Sequence, residues 1–457
     1  MSSGSLFVSS QRQHRVLVNY KLMIKPSDTM DNSGLYEKLL GRDRRQKRRR
    51  RIVISSVAAL VAVLLCVGGF VVYSWVSLQN GIHRSDILGH QVPPLNGDQN
   101  ILVMGLDSRL DEDGKPLPAE DYDALHSGDS SDGGYNANVL MLLHVPANGA
   151  KATVISIPRD DYVDIPGAPK GQTKAKIKEA YGLALAEATD QLTGKDGMSA
   201  EQVYQKARDA GRKAELATVS KFLGGVQIDH FVEVTMGAFL GIAKAVAPIT
   251  VCLNNATQDS YSGADFKAGV QQLDAQQAVS FVRQRRDTAN PKIQLTDLDR
   301  ARRQQAFIAS VGHQLKDQGT FQDIGKLQGI LNSVKSKIAV DSGLDLITFA
   351  QQAKSLAAGN MAFSTLPIVK FGYTNSGEAI NIVDLAQIKS TVKDLLEPAS
   401  SQQPSTAAGS GSATPTPGNS SPQAPTESGD SGSAPAQDNH YDDWTGALQG
   451  GAVACVN

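Results

Sequence analysis

The residues best suited to chemistry in this sequence are arginines at the ends of apolar runs, with one aspartate among them. The run Ile101 to Leu106 leads into Asp107-Ser108-Arg109, and the run Ala152 to Ile157 into Pro158-Arg159-Asp160-Asp161. Later come Phe281-Val282-Arg283-Gln284-Arg285-Arg286 and Asp297-Leu298-Asp299-Arg300-Ala301-Arg302-Arg303-Gln304. A planar guanidinium binds phosphate oxygens two at a time and keeps its charge at any working pH, so arginines held at one rim suit a polyanion. The competing reading of each arginine is a surface ion pair with Asp287, Asp297 or Asp299. On a helix Arg300, Arg303 and Gln304 stand three and four residues apart, which sets their polar tips on one face. Leu298, Ala301, Ile308, Val311 and Leu315 follow helical spacing on another face, which can pack on a core.

Other chemistries lack their signatures. A GxxxxGK(S/T) phosphate loop is absent, because Gly194-Lys195 is followed by Asp196 and the upstream glycine is missing; GxGxxG after a strand, GxSxG and HExxH are absent too. Three cysteines in 457 residues exclude a disulfide-dense scaffold, and eight histidines without a Cys/His ladder argue against a zinc module. An aromatic content of 5% speaks against a base-stacking nucleic-acid surface. His230 and His144 read as structural histidines. Asp160 or Asp161 could serve as a base, against the blander reading of an acidic surface cap.

The elements that must hold these residues lie beyond a sharp charge boundary. The formal net charge is −1, yet residues 1–51 carry 13 Lys/Arg against 4 Asp/Glu, a net of +9, which leaves −10 for the rest. At the boundary, Ile52 to Leu78 is apolar apart from small polar residues and follows Arg48-Arg49-Arg50-Arg51. About 20 apolar residues span a bilayer, and excess Lys/Arg marks the cytoplasmic side. The sequence therefore predicts a basic, largely disordered cytoplasmic segment at 1–51, a transmembrane helix at 52–78, a juxtamembrane linker at 79–96 and an exported domain at 97–397. A Ser/Pro-rich disordered linker at 398–440 and a short tail at 441–457 follow. Within the domain, strands are expected at Ile101 to Leu106, Val139 to Val145, Ala152 to Ile157, Phe231 to Val234, Ile249 to Leu253 and Met361 to Leu366. Helices are expected at Ala275 to Arg283, Asp297 to Leu315, Leu344 to Ala357 and Leu385 to Leu396. Thr296-x-x-Asp299 has the form of a capping box. Asp111 to Gly134 and Gly171 to Val219 read as insertions, the first a polar acidic loop and the second a charged pair of helices. Alternating strands and helices predict an α/β domain with helices on both faces of a sheet.

The ordered strings ILVMGLDSR, VLMLLHVPANGAKATVISIPRDDYVDIPG, IDHFVEV, VCLN, AVSFVRQR and DLDRARRQQAFI resemble the LytR-CpsA-Psr family of membrane-anchored cell-envelope phosphotransferases. The Ser/Pro-rich tail ending in Cys-Val-Asn resembles its actinobacterial branch. The resemblance implies a three-layer α-β-α domain with a central mixed sheet. It also implies transfer of a glycopolymer from a polyprenyl-pyrophosphate carrier to peptidoglycan, by an extracytoplasmic domain on a single-pass anchor, without nucleic acid. Asp107 matches an aspartate that helps hold Mg²⁺, for which Mn²⁺ could substitute. Arg159, Arg283, Arg285 and Arg300 match pyrophosphate-binding arginines, and Arg109, Arg303 and Gln304 join them as substrate-binding residues. Where the family has Arg-Ser-Asp-Thr, this chain has Asn136-Ala137-Asn138-Val139, so the second metal ligand becomes Asn138. An amide oxygen can ligate a hard cation but brings no charge, so metal binding should weaken or recruit an acid such as Asp132. The alternatives to a transferase are a non-catalytic carrier-binding or regulatory protein and a polyprenyl-pyrophosphate pyrophosphatase. Cys252 and Cys455, the two cysteines outside the apolar run, are expected to pair in a compartment that permits disulfides.

Overall fold

The computed structural model describes residues 81–89, 97–132, 134–195, 197–290, 293–320, 323–345, 349, 359–397, 447–450 and 452–457. The basic segment 1–51, the apolar run 52–78, most of the expected helix 344–357 and the linker 398–440 lie outside those residues. No helix among the described residues is long and apolar enough to cross a membrane.

Eight strands form the central sheet: β1 (His83–Ser85), β2 (Gln99–Leu106), β3 (Ala137–Val145), β4 (Ala152–Ser156), β5 (His230–Val234), β6 (Ile338–Asp341), β7 (Met361–Thr365) and β8 (Leu448–Gln449). Their order is β1-β6-β5-β2-β3-β4-β7-β8, with parallel and antiparallel pairs mixed. Strand periodicity divides the apolar side chains between two faces. Ile101, Met141, Leu143 and Val154 face one helical layer, formed by α3 (Met236–Val246), α4 (Ala275–Arg283) and α5 (Asp297–Asp317). Leu102, Met104, Leu140, Leu142 and Ile155 face the other, formed by α1 (Glu179–Leu192), α2 (Ala200–Phe222) and α6 (Leu385–Leu396). The three layers expected from the sequence are present. The Gly171 to Val219 insertion supplies α1 and α2, so it is part of the second layer. In the Asp111 to Gly134 loop, Ala119–Leu125 is helical and buries Leu125. Ile308, expected on the core face of α5, is 38% exposed.

Strand direction gathers the candidate residues. Both β2 and β4 run antiparallel to β3, while β5 and β7 run parallel to β2 and β4 respectively. The chain therefore leaves β2, β4, β5 and β7 at one end of the sheet and enters β3 there. Asp107 and Arg159 follow two of the exits, and Asn138 lies at the entry. The carboxyl ends of parallel strands are a common place for ligands in open α/β sheets.

The loop after Asp107 is anchored by a buried charge cluster. Arg208 and Arg212 of α2, Glu233 of β5 and Glu112 are all fully or almost fully buried. Glu112 Oε2 lies 2.9 Å from Arg208 Nη2 and 3.0 Å from Arg212 Nη2; Glu233 accepts from both arginines, including Arg212 Nε at 3.0 Å. Burial, opposed in part by Arg208, pushes the Glu112 carboxyl up to about 7. Burial also acts on Glu233, but Arg208 and Arg212 outweigh it and hold that carboxyl at about 2.

The two acids give opposite pH signs. Glu112 keeps its proton in the fold where the unfolded chain has lost it, so its contribution to stability falls as pH rises from 4.5 to about 7. The contribution of Glu233 is complete above 4.5 and is lost as pH falls toward about 2. Urea unfolding between these limits will show that Glu112→Gln removes the first slope. Glu233→Gln will cost about 3–5 kcal/mol near neutrality, because it leaves buried guanidiniums undercompensated.

Candidate functional site

A single hydrogen-bonded chain crosses the sheet end from Asp107 to α5. Asp107 Oδ1 accepts from the Asn136 backbone N–H at 3.0 Å, and its Oδ2 accepts from Asn138 Nδ2 at 3.0 Å. Asn138 Oδ1 accepts from Arg159 Nη1 at 2.6 Å. The Asn138 backbone oxygen accepts from Arg300 Nη2 at 3.1 Å. Asp297 closes the chain: its Oδ2 accepts from Arg300 Nη2 at 3.2 Å, and its Oδ1 is ion-paired 3.1 Å from Arg159 Nε and 2.9 Å from Arg300 Nη2. The ion-pair reading of these two arginines is thus correct for their partner Asp297, but the arginines are buried at the sheet end, with Asp297 half-buried, rather than spread over the surface. Arg300 Nε is buried without a hydrogen-bond partner.

Local sequence explains this placement. Thr296 caps α5 by accepting from the Leu298 and Asp299 N–H groups, while Asp299 accepts from the Thr296 N–H at 2.7 Å. This capping box fixes the first turn, on which Asp297 and Arg300 stand three residues apart. Gln305 ties the same helix to the sheet, donating at 2.8 Å to Ser156 of β4 and Thr365 of β7. Asp297 is the site residue that sequence reasoning counted only as a bystander. Its signal was its position, one residue inside a capping box that also carries Arg300.

The remaining arginines form a second group toward the Asp111 to Gly134 loop. Arg283, the last residue of α4, donates to the Leu125 and His126 carbonyls, and Arg109 donates to the Ser127 and Asp132 carbonyls. Arg285 is exposed and interacts with the charges of Arg159 and Asp297. Burial, and next the Arg109 charge, lowers the proton affinity of Arg283; burial and next Arg159 do the same for Arg285. Burial brings Arg300 down to about 10, although Asp297 opposes the change. Burial raises the Asp107 carboxyl against the pull of Asn136 N–H, Arg109 and Arg159. A small recess beside these groups is lined by Arg159, Asp297, Arg300 and Gln304 together with Val139, Met141 and Ile157. Gln304 lines it while donating to the Val282 carbonyl at 3.2 Å.

Arg303 corrects the sequence reading. It is fully buried and turned away from the recess, and it donates to Gln284 Oε1 at 2.6 Å, to Thr257 Oγ1 at 3.2 Å and to the Asn457 oxygen. Three residues advance a helix by 300° rather than a full turn, enough to carry Arg303 from the Arg300 face into the core. What it holds is the chain's last residues. Cys455–Val456 pairs in parallel with Ile249–Leu253, and Cys455 is joined to Cys252 by a disulfide, as expected. Asp161 is also corrected. It is completely buried, accepts from Asn381 Nδ2 at 3.0 Å, and burial raises its carboxyl well above the ordinary range, so it is no surface cap. His230 and His144 are buried and bonded to Asp341 and Asn100, in keeping with structural roles.

The donor set for a divalent cation is thin. Among the described residues no group of three or more His, Cys, Asp or Glu side chains could hold a metal ion. Asp132, the expected recruit, accepts instead from the Asp129 N–H at 3.1 Å. Asp107 and Asn138 are adjacent, but they face each other through a hydrogen bond.

The α/β domain thus carries, at one end of its sheet, a recess lined by both guanidiniums and apolar side chains. The family model described as the LytR_cpsA_psr family matches residues 79–396, and the chain belongs to that family. Among relatives, the cell wall biosynthesis protein LcpA of Corynebacterium glutamicum is 34% identical over 302 residues, covering 66% of this chain and 56% of LcpA. The chain thus spans little more than half of that relative's length. The polyisoprenyl-teichoic acid–peptidoglycan teichoic acid transferase TagU of Bacillus subtilis is 24% identical over 313 residues, covering 67% of this chain and 84% of TagU. A solved structure described as TagT bound to LI-WTA aligns with a TM-score of 0.44 at 16% identity, covering 68% of this chain and 95% of that one.

Two outcomes follow. Cys455→Ser will abolish the mobility difference between reduced and non-reduced chain on a gel and will cost about 2–4 kcal/mol in chemical unfolding. Asp297→Asn will lower the melting temperature while tightening the binding of inorganic pyrophosphate several-fold by calorimetry, because Asp297 occupies the guanidiniums that an anion would take. Weaker binding in that variant would contradict the competition.

Proposed function

We propose that the chain is a membrane-anchored phosphotransferase that moves a glycopolymer from a polyprenyl-pyrophosphate carrier to peptidoglycan. In this reading residues 52–78 span the membrane, the N-terminus is cytoplasmic and the α/β domain works outside. The observation that carries the reading is the recess lined by both Arg159 and Arg300 and by Val139, Met141 and Ile157: the guanidiniums, with Arg285 near them, meet the pyrophosphate, and the apolar side chains meet the first isoprene units. The name borne by TagU describes the same class of reaction, and that of LcpA places it in cell wall biosynthesis.

Phosphoryl transfer asks the protein mainly for position and for compensation of charge on non-bridging oxygens. A hydroxyl of a peptidoglycan sugar attacks the phosphorus nearer the glycan. The new P–O bond forms as the bond to the bridging oxygen breaks, polyprenyl monophosphate leaves with the electron pair, and the hydroxyl proton passes to that leaving phosphate. The guanidiniums of Arg159 and Arg300, held in place by the side chain and backbone oxygens of Asn138, compensate the charge during the step. The energy comes from the pyrophosphate linkage, so no nucleotide is needed. Arg109 and Arg283, which hold the 125–132 loop, border the acceptor side.

The test uses the full chain in detergent with a carrier-linked labelled oligosaccharide and peptidoglycan oligomers. Label should enter peptidoglycan through a phosphodiester, and Arg159→Ala should slow this about 100- to 1,000-fold. Label released as free sugar phosphate would identify a pyrophosphatase. Carrier bound with no turnover would identify a non-catalytic binder.

A further inference from the structure

We propose that Asn138 is a positioning residue that closes the place of a second cation ligand. It bridges Asp107 to Arg159, and the pocket meets its pyrophosphate with guanidiniums alone. A divalent cation can enter only on the phosphates of the substrate, not as an ion held by the protein. The pyrophosphate part rests on the function proposed above; the cation part does not.

The hydrogen-bonding chemistry of an amide fixes the arrangement. An asparagine side chain offers a carbonyl oxygen that only accepts and an NH₂ that only donates. On one side stands Asp107 Oδ2, a carboxylate oxygen 3.0 Å from Nδ2; on the other stands Arg159 Nη1, a donor 2.6 Å from Oδ1. Rotating the amide by half a turn would set oxygen against carboxylate and NH₂ against guanidinium, both repulsive. Neighbour chemistry therefore assigns the amide orientation, as it must where oxygen and nitrogen look alike. The oxygen that a metal would need already accepts a hydrogen bond from a permanent cation.

Asp107 is engaged through both oxygens as well. Its Oδ1 accepts from the Asn136 N–H at 3.0 Å and its Oδ2 from Asn138 Nδ2 at 3.0 Å. A site of this kind would offer a hard cation one carboxylate. Mg²⁺ demands near-ideal octahedral geometry at about 2.0–2.1 Å and gives up its waters reluctantly, so one carboxylate already accepting two hydrogen bonds and one occupied amide make a poor match. An aspartate at position 138 would reverse the situation. Two carboxylates about 3 Å apart cannot both stay ionised without a proton or a cation between them. A single atom, NH₂ against oxygen, separates a cation site from a bridge. The bridge has a use of its own, because the Asn138 backbone also accepts from Arg300, so one residue sets two guanidiniums in place.

The test measures Mn²⁺ retention by electron paramagnetic resonance on the full chain in detergent, with melting temperature as a check on folding. Native protein should hold no more Mn²⁺ than Asp107→Asn. Asn138→Asp should bind Mn²⁺ about tenfold more tightly, and combining it with Asp107→Asn should remove the gain. Native binding that falls about tenfold on Asp107→Asn would overturn the bridge, and that comparison decides even if Asn138→Asp fails to fold. Equal weak binding by folded Asn138→Asp and native chains would overturn the claim that the one atom decides. In metal-free buffer, calorimetry should show inorganic pyrophosphate bound by the native chain and at least about tenfold more weakly by Arg159→Ala. No binding to the native chain there would overturn the guanidinium part together with the functional reading, while leaving the Mn²⁺ comparison intact.

Discussion

Guanidinium groups brought together at the end of a sheet repel one another, and the pocket exists only because other groups hold them there. Two unit charges about 4 Å apart interact by about 4 kcal/mol at the effective dielectric of a protein surface, so three or four such cations would not stay clustered unaided. Asp297 supplies the necessary anion between Arg159 and Arg300, and Asn138 supplies neutral acceptors to the same two side chains. Arg159 and Arg300 share Asp297, while Arg109 and Arg283 are held by backbone carbonyls, which bring no charge. The remaining positive potential is what a pyrophosphate would satisfy.

The scaffold around the pocket serves the same constraint. The Arg208 and Arg212 cluster pins the loop that follows Asp107 through Glu112, so the strand end cannot drift. Helix α5 carries Arg300 on its pocket face and Arg303 on its buried face, where Arg303 grips the last residue of the chain. The tail, stapled by Cys252 and Cys455, is thus part of the support of the helix that presents Arg300. A segment more than 200 residues away from Cys252 in sequence helps set the geometry of the site.

Several parts of this were legible in the sequence for identifiable reasons. Strands such as Ile249–Leu253 and helices such as Leu385–Leu396 have clean periodicity, and their observed bounds coincide with it. Asp107, Arg159 and Arg300 were visible because strand ends and a capping box fix where a side chain can be. Arg303 was misplaced because spacing along a helix defines a face only to within a wide arc, and burial decides which side of the arc is core. The charged helices of the 171–219 insertion concealed a buried cluster, since an arginine in sequence gives no sign of whether water or a glutamate will meet it. Asn138 was seen as a departure, but its role as a bridge depends on which neighbours flank the amide, and only coordinates show that.

The central claim is that the guanidiniums of Arg159, Arg285 and Arg300 form the seat of a prenylated pyrophosphate. The direct measurement is a crystal structure of the chain with a short-chain prenyl methylenebisphosphonate, which cannot be cleaved at the bridging position. The account predicts phosphorus groups contacting Arg159, Arg285 and Arg300, with the first isoprene units against Val139 and Met141. A bisphosphonate seated elsewhere, with the recess empty and Asp297 still clasped between Arg159 and Arg300, would contradict it.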